Sequence, residues 1–234
     1  MINSTLSFVR SWRPVFLRSE LGRLLIASTS FSCVLVFLRI IHTGKPMFLW
    51  LIWNLLLAYV PYLLSSWLTL RHTKAAQQPV RWLFLVLSLI WLLFIPNAFY
   101  ILTDLYHLID CRNPHVPAWF DLSLIFSFAW NGLLLGVLSV RQMEKIAYPV
   151  IGKGWGGFFV YFVMGLSALG VYAGRYLRFN SWDVLTNPFQ LTVEMGRLII
   201  HPLSSQQAWG MIVCYTILLS FIYNMLKKLS HALT

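Results

Sequence analysis

The sequence predicts an all-α protein, a polytopic transmembrane helical bundle of about six spans. Of its 234 residues, 59% are apolar or aromatic and only 11% are charged, and the mean hydropathy is +0.70. Soluble domains carry about 25% charged residues, because a surface in water needs charge and a surface in lipid does not. Six apolar runs approach the roughly 20 residues that a helix needs to cross a bilayer. The runs are 24–41, 48–70, 80–102, 119–140, 156–174 and 209–226.

The distribution of lysine and arginine predicts the orientation of the bundle. Twelve of the eighteen basic residues fall on one side, in the two tails and in the connections after the second and fourth runs. Cytoplasmic loops carry an excess of these residues, so we expect both termini to lie in the cytoplasm. The predicted order is a basic cytoplasmic tail at 1–23, a transmembrane domain at 24–226 and a cytoplasmic tail at 227–234.

The net charge of +11 is typical of nucleic-acid binding when it occurs in a soluble protein. Here the basic residues lie between apolar runs and form no Lys/Arg block, so membrane topology accounts for them. We therefore expect the lipid bilayer, and no nucleic acid, to be the partner of the chain. The three cysteines predict no disulfide framework, since Cys33 and Cys214 lie inside apolar runs and leave Cys111 alone.

Features inside the runs bear on how the helices pack. Arg39 lies late in the first run, and we interpret it as a side chain that reaches back to the interface, since snorkelling is common near helix ends. Gly132 and Gly136, and likewise Gly170 and Gly174, form G-x-x-x-G pairs. Such pairs let two helix backbones approach closely. We expect contacts inside one bundle, with dimerisation as the alternative.

Two segments outside the runs also have helical features. The N-terminal tail interleaves apolar residues with arginines, which is typical either of an amphipathic helix on the lipid surface or of a disordered basic tail. After the fifth run, Asn187 suits an N-cap, Pro188 the first helical position and Gln190 a capping box. We expect an interfacial or re-entrant helix between spans five and six that ends before Pro202.

The third run carries a stripe of polar residues near its end. Its purely apolar part, 83–95, covers about 20 Å at 1.5 Å per residue, which is too short to cross a bilayer. The helix must therefore continue through Pro96, which removes a backbone hydrogen bond and favours a kink that lines a cavity or is buried in protein. The polar residues that follow share one helical face, which we expect to point into the bundle. They are Asn97, Tyr100, Asp104 and His107.

More polar residues fall on the same predicted side of the membrane. Asp121 opens the fourth run, and Arg175 and Arg178 follow the fifth run one turn apart. Arginines on the side that usually lacks them need a local reason, such as a nearby carboxylate, an anionic ligand or a lipid phosphate. A guanidinium binds carboxylate and phosphate through two hydrogen bonds. The arginines are followed by Asn180, Trp182 and Asp183.

Our first hypothesis from these residues is a membrane-embedded enzyme that acts on an anionic or lipid-linked substrate. An acid or base and a cationic clamp are the groups that such chemistry needs. The candidate catalytic residues are Asp104, His107 and Asp121. The candidate substrate-binding residues are Asn97, Tyr100, Arg175, Arg178, Asn180, Trp182 and Asp183.

Other hypotheses stay open beside the enzyme. A small-solute transporter would use a broken third span as its binding site. A non-catalytic assembly or sensor protein would use the polar residues as an internal ion-pair network. If a metal binds, Asp104, His107 and Asp121 form the candidate oxygen and nitrogen ligand set. The sequence leaves the cofactor unknown.

Two stretches read as motifs, P-N-A-F-Y-I-L-T-D-L-Y-H-L at 96–108 and G-R-Y-L-R-F-N-S-W-D at 174–183. In this order they resemble the two signatures of an uncharacterised bacterial family, the domain of unknown function 1361. The chain departs from the family at Phe99, where proline is usual, and at Phe179, where tryptophan is usual. Neither change removes a polar group. The resemblance implies a multi-pass protein of the bacterial cytoplasmic membrane, and it implies no activity.

Overall fold

The structure, a computed structural model, describes residues 20–73, 81–110, 116–152, 156–200 and 205–232. All elements in these ranges are helical. A 3-10 segment, Ile101–Tyr106, joins the third helix to the fourth. The helices are α1 (Glu20–Thr43), α2 (Leu49–Thr73), α3 (Arg81–Tyr100), α4 (His107–Asp110), α5 (Ala118–Ile151), α6 (Gly156–Arg175), α7 (Asp183–Thr186), α8 (Pro188–Ile200) and α9 (Gln206–Ala232).

The six-span prediction is confirmed by six helices that are long and apolar enough to cross a membrane. The third of these stretches continues from α3 through the 3-10 segment into α4, as the shortness of the apolar part required. The two alternatives for the N-terminal tail, and the residue Cys111, lie outside the described ranges. The six stretches are Glu20–Thr43, Leu49–His72, Trp82–Ile109, Ala118–Pro149, Gly157–Arg175 and Gln206–Ser230.

Helix α5 is the centre of the bundle. It contacts α1, α2, α3, α6 and the 3-10 segment, and 67% of its most apolar stretch is buried. Helix α3 lies against α2, α5 and α6, while α9 packs on α6. An apolar surface around such a bundle is the expected state in lipid, and large apolar side chains are exposed on several of its helices.

A contact between α5 and α9 shows that the C-terminal ends of these two helices lie on the same side of the bundle. Near the end of α5, Glu144 accepts hydrogen bonds from Lys227 Nζ and from the Tyr223 hydroxyl, each over 2.6 Å, and both donors lie near the end of α9. These ends therefore lie on the same side, opposite the end that carries Asp104. We call the latter the Asp104 end. That it faces away from the cytoplasm stays a prediction.

The glycines of α5 are needed because α3 presses directly against them. A Cβ added to Gly132 would lie 2.7 Å from the carbonyl oxygen of Ala98, and one added to Gly136 would lie 2.7 Å from the ring of Phe99. Real Cβ atoms essentially never come closer than 3.0 Å to such neighbours. Close backbone approach is the known use of small residues in membrane helices.

The glycines of α6 contact the other side of the same stretch of α3. A Cβ on Gly170 would lie 2.6 Å from the ring of Pro96, and one on Gly174 would lie 3.1 Å from the ring of Tyr100. The stretch 96–101 is therefore held between two glycine pairs, one on α5 and one on α6. The prediction of contacts inside one bundle is confirmed.

We expect Gly170→Ala to lower the free energy of unfolding by about 1–3 kcal/mol, the usual cost of overpacking. The pyrrolidine ring of Pro96 is rigid and cannot rotate away from the new methyl group. Chemical unfolding in detergent measures the difference. Gly196→Ala in α8 is the control, because no atom lies within 4 Å of its added Cβ and alanine favours a helix. Equal stability of the two variants would show that α3 and α6 are not in close contact.

The predicted helix between spans five and six is α8. Its first helical bond runs from the Leu191 amide to the Asn187 carbonyl over 3.2 Å, as expected for an N-cap residue. Its far end is held by the Trp209 indole, which donates to the Leu198 carbonyl over 3.0 Å. The buried Leu198 packs against α6 and α9, so α8 lies along the side of these two helices.

Candidate functional site

The polar residues of α3 begin where Pro96 removes one helical hydrogen bond. Helix α3 stays helical through Pro96, so the prediction of a break in the third span is wrong. The Ser181 hydroxyl donates to the Leu93 carbonyl over 3.2 Å in this region, and Asn97 Nδ2 donates to Ser181 Oγ over 2.9 Å. The connection after α6 is thus attached to α3 at its proline.

The stripe that follows Pro96 points into the bundle, as predicted, and it lies against α6 and the connection after it. Asn97 contacts the connection after α6, and the ring of Tyr100 lies against Gly174. Asp104 and His107 both contact the side chain of Arg175, the last residue of α6. The backbone tightens into the 3-10 segment between Tyr100 and His107, so the stripe continues on one side of the element despite the change in helix type.

Asp104 is buried at the centre of this region, with 1% of its surface exposed. Its Oδ2 accepts a hydrogen bond from Asn54 Nδ2 of α2 over 3.0 Å. Its Oδ1 lies 3.8 Å from Arg175 Nη1 and has no hydrogen-bond partner among the described residues. A buried carboxylate needs paired charge and hydrogen bonds, and Asp104 has one hydrogen bond and one ion pair.

Arg175 also contacts His107. Arg175 Nη1 lies 3.0 Å from His107 Nε2. A guanidinium donates and never accepts, so Nε2 of His107 is the acceptor in this contact. The ring of Trp50 lies edge-on to His107 at 4.7 Å, and Tyr106 lies 5.5 Å from the guanidinium of Arg175. We call Asp104, His107, Arg175 and Asn54 the Asp104 cluster.

Asp121 lies in a separate ion pair with Arg39. Arg39 Nε donates to Asp121 Oδ1 over 2.7 Å and Nη2 donates to Oδ2 over 3.2 Å, which is a bidentate arrangement between α1 and α5. Arg39 is 1% exposed and also lies over the ring of Phe48 at 5.8 Å. The interpretation of Arg39 as a snorkelling side chain is therefore wrong: a carboxylate on α5 keeps it inside the bundle.

The connection after α6 is held by the carboxylate of Asp183. Asp183 accepts from the Asn180 amide over 2.6 Å and from the Thr186 hydroxyl over 2.9 Å. These bonds hold the pKa of Asp183 below its ordinary value, because they stabilise the charged form. Just before them, Arg178 has a backbone φ of +58° and an exposed side chain. That left-handed conformation costs a residue other than glycine about 1–2 kcal/mol.

A cavity of about 450 Å³ lies between α3, α6, α8 and the connection after α6. Its size is in the range of small-molecule sites. Most of its wall is apolar, including Leu89 and Leu93 of α3 and Leu191 and Met195 of α8. Five polar residues line it as well: Asn54, Asn97, Tyr100, Asn180 and Ser181.

The predicted site residues fall into four places. Asn97, Tyr100 and Asn180 line the cavity, whereas Asp104, His107 and Arg175 form the cluster behind Asn54. Asp183 holds the connection, and Arg178 and Trp182 are exposed on it. Asp121 belongs to the ion pair with Arg39. Asn54 and Ser181 were missed. Asn54 could have been found as an amide inside an apolar run, because such groups usually pair across helices.

Metal binding gains no support from the described residues. No group of three or more His, Cys, Asp and Glu side chains among them has the proximity to hold an ion. Two of the three predicted ligands already have arginine partners. Both oxygens of Asp121 accept from Arg39, and Nε2 of His107 accepts from Arg175.

Comparison with protein families matches the chain over residues 53–222 to the family described as "Protein of unknown function (DUF1361)". This covers more than two thirds of the chain. The chain belongs to the DUF1361 family. Comparison with curated proteins and with solved structures gives no match.

The DUF1361 match contains the Asp104 cluster and the whole lining of the cavity. It begins inside α2 and ends inside α9, so α1 lies outside it. The ion pair between Arg39 and Asp121 therefore joins a helix outside the matched region to the central helix of the family domain. The cavity, with its lining between Asn54 and Met195, is a feature of the matched region.

Proposed function

We propose that this DUF1361 protein binds an amphiphilic, lipid-like molecule in the cavity between α3, α6 and α8. The observation that carries the proposal is the make-up of the cavity wall. Apolar residues of α3, α6 and α8 surround most of it, while amides and hydroxyls from α2, α3 and the connection after α6 contribute the polar part. A molecule with an apolar chain and a hydrogen-bonding head matches such a wall.

Access from the surrounding lipid supports this choice over a water-soluble ligand. Leu89 lines the cavity and is 66% exposed on the face of α3, and Val184 lines it and is 38% exposed. The surface around Leu89 belongs to a stretch that is apolar enough to lie in the membrane. An apolar chain therefore has a direct path from the bilayer to the cavity, without leaving a nonpolar environment.

An enzyme acting on this ligand is the second candidate function, and Asp104 is the observation that favours it. Its buried Oδ1 has no hydrogen bond among the described residues, and its Oδ2 binds Asn54, which lines the cavity. The acid–base roles of Asp104, His107 and Asp121 stay predictions. The transporter hypothesis depended on a broken third span. Because α3 is helical through Pro96, that hypothesis loses its main support.

Photolabelling tests lipid binding directly. The purified protein is placed in phosphatidylcholine nanodiscs with a trace of a lipid whose acyl chain carries a diazirine, and the labelled residues are identified by mass spectrometry. We expect labels on α3 around Leu89 and Leu93. Leu93→Trp fills the cavity and should lower this labelling about tenfold, since the ligand and the indole compete for one volume.

Leu85→Trp is the matched control for this experiment. Leu85 lies on the same helix one turn before Leu89, is 61% exposed and does not line the cavity. It should leave the labelling unchanged, because bulk lipid still reaches the cavity. Labelling spread evenly along α3 and equal in both variants would contradict the proposal.

A further inference from the structure

Building on the lipid-binding function proposed above, we propose that the ligand carries a phosphate and that Arg178 binds it at the rim of the cavity. Arg178 directly precedes Phe179 and Asn180, both of which line the cavity. The ligand class is then a phosphate-bearing lipid. Its chain lies among the leucines of α3, its linker lies at the amides and its phosphate lies at the exposed guanidinium.

The backbone holds Arg178 in place between two fixed points. On one side, the Phe179 amide donates to the Ala173 carbonyl of α6 over 3.1 Å. On the other side, Asn180 is bound to the Asp183 carboxylate. Arg178 lies between them with a φ of +58°, a conformation that glycine adopts without strain. Binding of a ligand by the guanidinium at the rim would explain why an arginine occupies this strained position.

The guanidinium of Arg178 has no ion-pair partner among the described residues, whereas two other arginines near the cavity are paired. Arg175 contacts Asp104 and His107, and Arg197 of the cavity-lining helix α8 is paired with Glu194. Both oxygens of Asp183 accept hydrogen bonds from its own loop. Within the described part of the chain, Arg178 forms no ion pair or hydrogen bond. An anion at the mouth of the cavity would therefore meet Arg178 as its cation.

The interior of the cavity selects an uncharged linker beneath the phosphate. The polar residues that line it are amides and hydroxyls, and none of its lining residues is charged. Ester or amide groups suit such a lining, because they accept hydrogen bonds from Asn, Ser and Tyr without the desolvation cost of a buried ion. A phosphate would remain at the exposed Arg178, where water also solvates it.

Two diazirine probes with the same acyl chains, phosphatidylglycerol and diacylglycerol, test the proposal in the nanodisc experiment. The wild type should label about fivefold more with phosphatidylglycerol, the effect of one cation near an anionic head group. Arg178→Gly should label equally with both probes and should melt no lower than the wild type, because glycine favours this backbone conformation. Arg178→Lys should keep part of the preference.

Lys45→Gln is the matched control for charge, since Lys45 is an exposed cation in the connection between α1 and α2, at the same end of the bundle. It should keep the fivefold preference. Inorganic phosphate at millimolar concentration should not displace the probe, and displacement would assign the rim to free phosphate and overturn the lipid source.

The two proposals fail in different ways. Equal labelling by both probes that Leu93→Trp still blocks overturns the phosphate proposal and leaves the cavity as a lipid site. Labelling that ignores Leu93→Trp overturns lipid binding in the cavity itself. A preference for phosphatidylglycerol that survives in Arg178→Gly overturns the assignment to Arg178.

Discussion

Arg39→Met lowers the free energy of unfolding by about 3–5 kcal/mol, the usual cost of removing one partner of a buried ion pair. The variant leaves Asp121 buried without the two hydrogen bonds that it accepts from Arg39 at 2.7 Å and 3.2 Å. The charge can be relieved only by protonation or by moving α1 away from α5. Unfolding in mild detergent, followed by circular dichroism and by tryptophan fluorescence, measures the loss.

The double variant Arg39→Met/Asp121→Leu distinguishes the lost pair from lost packing. Removing both charges should recover most of the stability, because a buried ion pair is often no better than apolar side chains of similar volume. Arg23→Met in the same helix is the control. Its pair with Glu20 is 4.0 Å long, with side chains 67% and 92% exposed, so the change should cost less than about 1 kcal/mol. Additive losses in the double variant would contradict the coupling.

Hydropathy and local spacing were enough to predict the six spanning helices, the helix α8 and the glycine pairs that pack inside the bundle. Each spanning run has the length and apolar composition that a helix needs to cross a bilayer, so all six were found. The glycine pairs are local signals as well, and both lie against α3. The N-cap at Asn187 and the proline after it placed the start of α8.

The partners of the charged residues could not be predicted in the same way. Arg39 and Asp121 are 82 positions apart, and Asn54 and Asp104 are 50 apart. Sequence spacing identifies residues that share a helical face, whereas these contacts depend on which helices become neighbours. Arg39 was misread for this reason: near a helix end, snorkelling satisfies a lone arginine, and the sequence alone does not show that a carboxylate of α5 lies beside it.

The cavity could likewise not be predicted from the spacing of residues in the sequence. It is enclosed by α3, α6, α8 and the connection after α6, and Asn54 joins its lining from α2. Asn97, Tyr100 and Asn180 were predicted as binding residues, and all three line it. Arg175 was predicted with them, but its side chain contacts Asp104 and His107.

Arg175→Met should lower the free energy of unfolding by about 2–4 kcal/mol, slightly less than the change at Arg39. The Arg175 side chain is 18% exposed and its Nη1 lies 3.8 Å from Asp104 Oδ1, so the ion pair is looser and partly solvated. The same variant removes the donor to His107 Nε2. Detergent unfolding measures the cost, and photolabelling of the same sample shows whether the cavity keeps its ligand.

Asp104→Asn in the Arg175→Met background separates a structural cluster from a catalytic one. An asparagine at 104 can still accept from Asn54 through its amide oxygen and leaves no buried charge, so the double variant should be more stable than Arg175→Met alone. Asn54 then stays at the cavity, so the double variant should be photolabelled like the wild type. If the Asp104 cluster only supports the cavity, restored stability and photolabelling should be accompanied by normal function in cells. If Asp104 is an acid or base for a bound lipid, the stable, ligand-binding double variant should fail to complement loss of the native protein in cells, whereas complementation would exclude that role.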